Sequence, residues 1–164
     1  MKTLEIKPGI ITQVDDEDYD RLNQFKWHQV RKSKVISRCY YDKQAKRPKG
    51  ELMHRFIMKA RSEDMVDHAD GDPTNNQKSN LRFCVRLENN RNRKKNTKCA
   101  FGKLPSSQYK GVFLSTNKTK WRAVFTIKGQ RINLGQYQTE KEAALAYNGA
   151  TNIFFGEFAR PNKV

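Results

Sequence analysis

Short apolar runs, Leu4-Glu5-Ile6 and Ile10-Ile11, stand on either side of Pro8-Gly9 and predict strand and turn over residues 1–14. Asp15-Asp16-Glu17-Asp18 then places carboxylates where a helix macrodipole favours them, and Tyr19, Leu22 and Phe25 recur at three-residue spacing. This predicts a helix from about Asp16 to Phe25 with those three toward the core, and a solvated helix start in preference to an acidic metal site. Residues 26–31 and 35–41, joined by Lys32-Ser33-Lys34, alternate as a hairpin, whereas Lys43 to Gly50, with Pro48, reads as loop. Leu52, Met53, Phe56, Ile57 and Met58 predict a short buried helix. Met65–His68 and Asn80–Val85 read as strands around a loop that Asp70-Gly71-Asp72-Pro73 forces, followed by a polar helix from Leu87 to about Lys95.

Beyond Pro105-Ser106-Ser107 the period changes. Residues 109–114, 120–127 and 130–135 alternate, with turns at Asn117-Lys118-Thr119 and Lys128-Gly129, and predict a three-stranded antiparallel meander. Thr139 and Glu142 form a capping-box signature, and Ala143, Ala144, Ala146, Tyr147, Ala150, Ile153 and Phe154 give a small-residue stripe that lets a helix to Phe155 lie close on the sheet. In the middle strand Trp121, Ala123, Phe125 and Ile127 share the face toward that helix, and Arg122, Val124, Thr126 and Lys128 the other. The fold class is α+β in two small domains, residues 1–95 (core 52–95) and 109–164, with a basic linker over 96–108.

Charge adds a partner. The chain carries 33 Lys and Arg against 17 Asp and Glu, a net +16, which implies a polyanion, nucleic acid being the commonest soluble one and anionic membrane its rival. Basic and acidic residues number 17 and 13 over residues 1–85, 7 and 1 over 86–108, and 9 and 3 over 109–164, so the positive field lies mostly in the second half. No apolar run nears the roughly 20 residues that span a bilayer, and residues 1–6 lack a secretory apolar core. A soluble, cytoplasmic protein with no membrane and no obligate protein partner is expected. Cys39, Cys84 and Cys99, odd in number and scattered, fit reduced thiols better than a disulfide framework or a zinc site.

The candidate chemistry lies in Asp67-His68-Ala69-Asp70-Gly71-Asp72-Pro73-Thr74-Asn75-Asn76, followed by Asn80-Leu81-Arg82 and Asn89. A carboxylate beside a histidine can hold a hard cation while the imidazole takes a proton from water. Asp70 and Asp72 are read as turn formers rather than ligands. His54 is read as a supporting group near the site, and His28 as a surface or packed imidazole. These motifs over residues 52–95 resemble the HNH endonucleases, whose core is the ββα-metal finger, in the version common to phage intron-encoded and free-standing enzymes. The resemblance implies His68 as general base, Asn80 as brace of the loop that orients it, and Asp67 and Asn89 as ligands of one divalent cation. An amide at position 89, where other members place His, favours Mg²⁺, with Mn²⁺ as the alternative.

Tyr109-Lys110-Gly111-Val112, Trp121-Arg122-Ala123, Leu134-Gly135-Gln136-Tyr137, the run Glu142 to Asn148, and Asn162 resemble the Apetala-type plant ethylene-response DNA-binding domain. That resemblance implies a sheet laid in the major groove, with Lys110, Ser115, Arg122, Thr126, Arg131 and Asn133 toward double-stranded DNA. Arg91, Arg93, Lys94 and Lys95 would follow the phosphate backbone. Departures from the plant pattern at Phe113, Ser115, Thr126 and Asn133 mean that the plant target does not carry over. The expected function is metal-dependent phosphodiester hydrolysis by a homing-type, nicking endonuclease; the alternative is an inactive DNA-binding regulator built on the same modules.

Overall fold

The computed structural model describes residues 1–31, 33–92 and 105–164, and of Leu87 only the backbone. The chain is mixed α/β with several small antiparallel sheets, and it divides into two units, Met1–Arg86 and Leu87–Val164. No helix among the described residues is long and apolar enough to cross a membrane.

In the first unit, strands β1 (Lys2–Lys7) and β2 (Ile10–Val14) pair around Pro8-Gly9, with Gly9 at φ 79°. Helix α1 (Asp16–Asn23) begins on the acidic run and stops two residues short of the expected end. Phe25 consequently stands partly outside, its ring against the Arg38 guanidinium at 3.8 Å and edge-on to Trp27 and Phe56. The acidic helix start is less solvated than expected. Asp18 is buried and bonds Arg21 at 2.6 Å and Lys78 at 3.1 Å, because basic groups from its own helix and from a later loop reach it.

Strands β3 (His28–Gln29), β4 (Ile36–Asp42) and β5 (Arg47–Leu52) form an antiparallel sheet in that order. The segment expected as loop thus contains β5, with Pro48 opposite Tyr41. Proline is tolerated there because β5 is an edge strand, and its missing N–H costs no ladder bond on the outer side. Helix α2 (Met53–Ile57) buries Met53 and Ile57 in a core with Leu4, Val14, Leu22, Trp27, Ile36, Val66 and Leu81. Strands β6 (Met65–His68) and β7 (Leu81–Cys84) then pair antiparallel, His68 opposite Leu81 and Asp67 opposite Arg82.

The second unit holds α3 (Arg86–Arg91) from Leu87 onward, and a sheet ordered β10-β9-β8 made of β8 (Val112–Leu114), β9 (Trp121–Ile127) and β10 (Gln130–Tyr137). Helix α4 (Glu140–Phe155) starts in the capping box of Thr139 and Glu142 and packs Ala143, Ala144, Tyr147 and Phe155 on Val112, Ala123 and Phe125. Asn162 clips the C-terminal segment to the start of the sheet, accepting from the Lys110 amide at 2.6 Å and donating to its carbonyl at 3.1 Å. Gly111 has φ +74°, and a Cβ there would lie 2.0 Å from the Tyr147 ring and 2.7 Å from the Val124 carbonyl. Gly111→Ala is therefore expected to destabilise the second unit by roughly 2–4 kcal/mol, from combined strain and overlap. Urea unfolding followed by Trp121 fluorescence measures it; a loss near zero would mean that Tyr147 does not pack on the backbone.

Candidate functional site

His68 ends β6 and is buried, because alternation along the strand turns it to the same side as the core residue Val66. Its Nε2 lies 3.2 Å from Oδ1 of Asn76, and its ring meets that of His54 edge-on at 4.9 Å between centroids. Asn76 is 1% exposed; its amide nitrogen donates to the Thr12 hydroxyl at 2.8 Å, and Thr12 donates to the Thr74 carbonyl at 2.6 Å. Burial lowers the pKa of His68, against the raising influence of Asn76 and of Asp70, Asp67 and Asp72, so the ring is neutral, and able to accept a proton, at physiological pH.

Asp67, on the other side of β6, bonds Arg82 across the ribbon at 3.2 Å, with both side chains nearly buried. Asn80 closes the loop between the strands: its Oδ1 accepts from the Asp70 amide at 3.0 Å, and its Nδ2 donates to the Asp70 carboxylate at 3.0 Å and to the Asn75 carbonyl at 2.8 Å. Asp70 and Asp72 cap that loop from within, accepting from the amides of Asp72 at 2.7 Å and Thr74 at 2.9 Å. Burial raises the Asp70 pKa, but the donors from Asp72, Asn75 and Asn80 outweigh it and hold the carboxyl low. Among the described residues no three or more His, Cys, Asp or Glu side chains gather as a metal cluster. Asn89 stands on α3, in the second unit.

In the second unit the strand register puts Phe113 and Gln136 beside Arg122, Asn133 beside Val124, and Arg131 beside Thr126, all on the sheet face away from α4. Arg91, Lys110, Thr126 and Arg131 come together around an open cavity of about 370 Å³ whose apolar wall includes Phe113 and Phe155. The Arg91 guanidinium lies over the Phe155 ring at 4.4 Å, and the Lys110 ammonium donates to the Arg91 carbonyl at 2.6 Å. Burial, and then the charge of Arg160, lower the Lys110 pKa. Nε of Arg122 is buried without a hydrogen-bond partner among the described residues. Ser115 is buried in the turn after β8, donating to Asn117 at 2.6 Å and accepting from the Lys120 amide at 3.1 Å. Arg93, Lys94, Lys95 and Cys99 lie outside the described residues, while Cys39 is a free thiol.

No family model matches the chain, and no solved structure does. Protein 3.8 of Escherichia phage T7 is 30% identical over 95 residues, which are 58% of this chain and 73% of the phage protein. The chain belongs to the family of that phage protein. An uncharacterized HNH endonuclease of Acanthamoeba polyphaga mimivirus is 29% identical over 163 residues, 95% of this chain and 76% of the viral protein. An AP2/ERF and B3 domain-containing transcription repressor of Arabidopsis thaliana is 45% identical over 60 residues, 37% of this chain and 16% of the plant protein.

Two residues at the site carry no local mark in the sequence. Asn76 looks like one more turn amide, and Thr12 lies on a hairpin 64 residues earlier. His54, by contrast, stands out as a histidine inside an apolar run, and it is 7% exposed. Burial, then the charges of His68 and Arg55, push its pKa down from 6.5 to about 3. Below pH 6.5 the unfolded chain takes up a proton that the folded protein refuses until about pH 3, so stability rises with pH across that window and is lost on acidification. The expected slope is up to about 1.4 kcal/mol per pH unit from this group. Urea midpoints measured from neutral to acidic pH should fall along it, and His54→Leu should flatten the fall; an unchanged slope in that variant places the acid sensitivity elsewhere.

Proposed function

We propose that the chain is a divalent-metal-dependent DNA endonuclease, with hydrolysis in the first unit and duplex binding in the second. The observation that carries the reading is His68, a buried imidazole bonded at Nε2 to Asn76, on a strand that also bears the carboxylate Asp67. The similarity to a viral protein named as an HNH endonuclease runs over nearly the whole chain and supports it. His68 accepts a proton from water as the water oxygen attacks phosphorus; the P–O bond to the leaving strand breaks, and the leaving oxygen takes a proton from solvent. Asp67 would offer Mg²⁺, or Mn²⁺ as the alternative, a carboxylate oxygen, and the HNH resemblance alone assigns the amide oxygen of Asn89 as a second ligand. Both are hard donors, and so small a set leaves positive charge for the phosphate. When bound, the cation supplies electrostatic stabilisation of charge developing on the phosphate oxygens. A single histidine base fits a nick better than a double-strand break. The homing-type assignment rests on the phage-enzyme resemblance alone.

The second unit supplies affinity. Arg91, Lys110, Arg122, Thr126, Arg131 and Asn133 present cations and hydrogen-bonding groups of the kind that grip phosphates and base edges. Lys94 and Lys95 extend the same charge along the chain. The similarity over 60 residues to a plant transcription repressor supports the duplex-binding role and also favours a second reading, a DNA-binding regulator without catalysis.

Supercoiled plasmid separates the two. Mg²⁺-dependent relaxation is expected, with His68→Ala slowing it by about 10²–10⁴ while leaving duplex affinity intact. Wild-type protein that binds duplex and never nicks it with any divalent cation would leave only the regulator. In the second unit, Arg131→Gln should weaken binding and reduce the slope of log affinity against log salt by about one. An unchanged slope would mean that Arg131 neutralises no phosphate.

A further inference from the structure

The hydrogen bonds behind His68 fix more than the position of its ring. The Thr12 hydroxyl, fully buried, is 2.6 Å from the Thr74 carbonyl. A carbonyl only accepts, so the single hydroxyl proton points there and the Thr12 oxygen remains an acceptor. The Asn76 atom 2.8 Å from that oxygen must then be the amide nitrogen, which also faces the Pro73 carbonyl at 3.3 Å. The amide oxygen is thereby turned toward Nε2 of His68, 3.2 Å away, and requires a donor there. Amide flips and imidazole tautomers are ordinarily ambiguous. Here the ambiguity ends at a backbone carbonyl, which has no second state.

The backbone holds this chain of bonds in register. The Gln13 amide donates to the same Thr74 carbonyl at 2.9 Å, and the Asn76 amide donates to the Gln13 carbonyl at 2.8 Å. Residues 12–13 of β2 therefore grip residues 74–76 on both sides of Asn75. Asn80, expected to brace the loop that orients His68, bonds to Asp70 and Asn75 within that loop.

We propose that Asn76 is a positioning residue that holds neutral His68 as the Nε2–H tautomer, and that Thr12 sets the orientation of the Asn76 amide, leaving Nδ1 as the proton-accepting atom. The tautomer follows from the hydrogen-bond chain alone, while its catalytic consequence rests on the nuclease reading. A water attacking phosphate must therefore lie on the Nδ1 side of the ring. The N-terminal hairpin is part of the catalytic apparatus, although it touches no reacting atom.

Long-range ¹H–¹⁵N correlation spectra of the full chain, with His68 neutral, read the tautomer directly. The wild type is expected to show a protonated Nε2 and an unprotonated Nδ1. Asn76→Ala and Thr12→Val should admit the Nδ1–H form and lower kcat for plasmid nicking at least about tenfold, with KM for DNA unchanged, because a misplaced imidazole proton disables a histidine base. Thr12→Ser, which keeps the hydroxyl, should restore both tautomer and rate. An Nδ1–H tautomer in the wild type overturns the proposal. So does an unaltered Nε2–H signal in Asn76→Ala and Thr12→Val proteins that retain native backbone spectra. Should both of those variants unfold, the wild-type spectrum and Thr12→Ser decide, with loss of the Nε2–H form in Thr12→Ser counting against the lock. A wild type with the Nε2–H form that never cleaves DNA supports the lock and removes the nuclease reading.

Discussion

The first unit depends on satisfying the polar loop between β6 and β7 inside a small core. A buried amide or hydroxyl left without a partner costs about 1–3 kcal/mol, and Thr12, Asn76 and His68 are all buried together. Strand β2 runs beside the loop and supplies the Thr12 hydroxyl to the Asn76 amide nitrogen and the Gln13 backbone to residues 74 and 76. Thr74 is the fixed point, since its carbonyl accepts from both the Gln13 amide and the Thr12 hydroxyl. Such networks are cooperative and intolerant of partial loss. The same logic extends to Asp15, which accepts from the Lys78 amide at 2.8 Å, and to Lys78, paired with Glu17 and Asp18. The acidic helix start and the β6–β7 loop are thus halves of one polar assembly.

The second unit is organised by sterics. Close approach of α4 to the sheet requires small residues on both sides, and Gly111 is where that requirement becomes absolute, with Tyr147 lying on its Cα. Burial pushes the Tyr147 phenol up to about 12, which keeps that ring neutral in the core. With one face of the sheet committed to α4, alternation leaves Phe113, Arg122, Thr126, Arg131 and Asn133 together on the other. A cationic face follows from the packing of the opposite one.

How much of this is legible in the sequence depends on the range of the cause. The capping box of α4, the three strands of the second sheet and the β6–β7 pair come from local periodicity and short-range hydrogen bonds, and they read correctly. Strand β5 reads as loop because Pro48 and Gly50 are local breakers, and only its edge position makes them harmless. Phe25 reads as core because its spacing from Leu22 is helical, yet Trp27, whose indole donates to the Leu22 carbonyl at 2.8 Å, takes the inner place. Asn76 is invisible for a different reason: an Asn-Asn after Pro-Thr is good turn chemistry, and nothing near it in sequence announces a partner 64 residues away. Ser115 reads by resemblance as facing DNA, yet it is buried, held by the turn hydrogen bonds with Asn117 and Lys120.

On the proposed reading, the two units also differ in what their tasks demand of geometry. Proton transfer from water to an imidazole requires the acceptor atom within a few tenths of an ångström and in one tautomer, so its residues must be buried, bonded and intolerant of substitution. Attraction to a phosphate backbone is long-ranged and forgiving, and a flexible exposed cation serves it well. The sequence divides its charge accordingly, nearly balanced over residues 1–85 and strongly positive thereafter. On that reading most of the cations, and with them the salt-dependent affinity, belong to the second unit, while the hydrogen bonds around Asn76 lie wholly within the first.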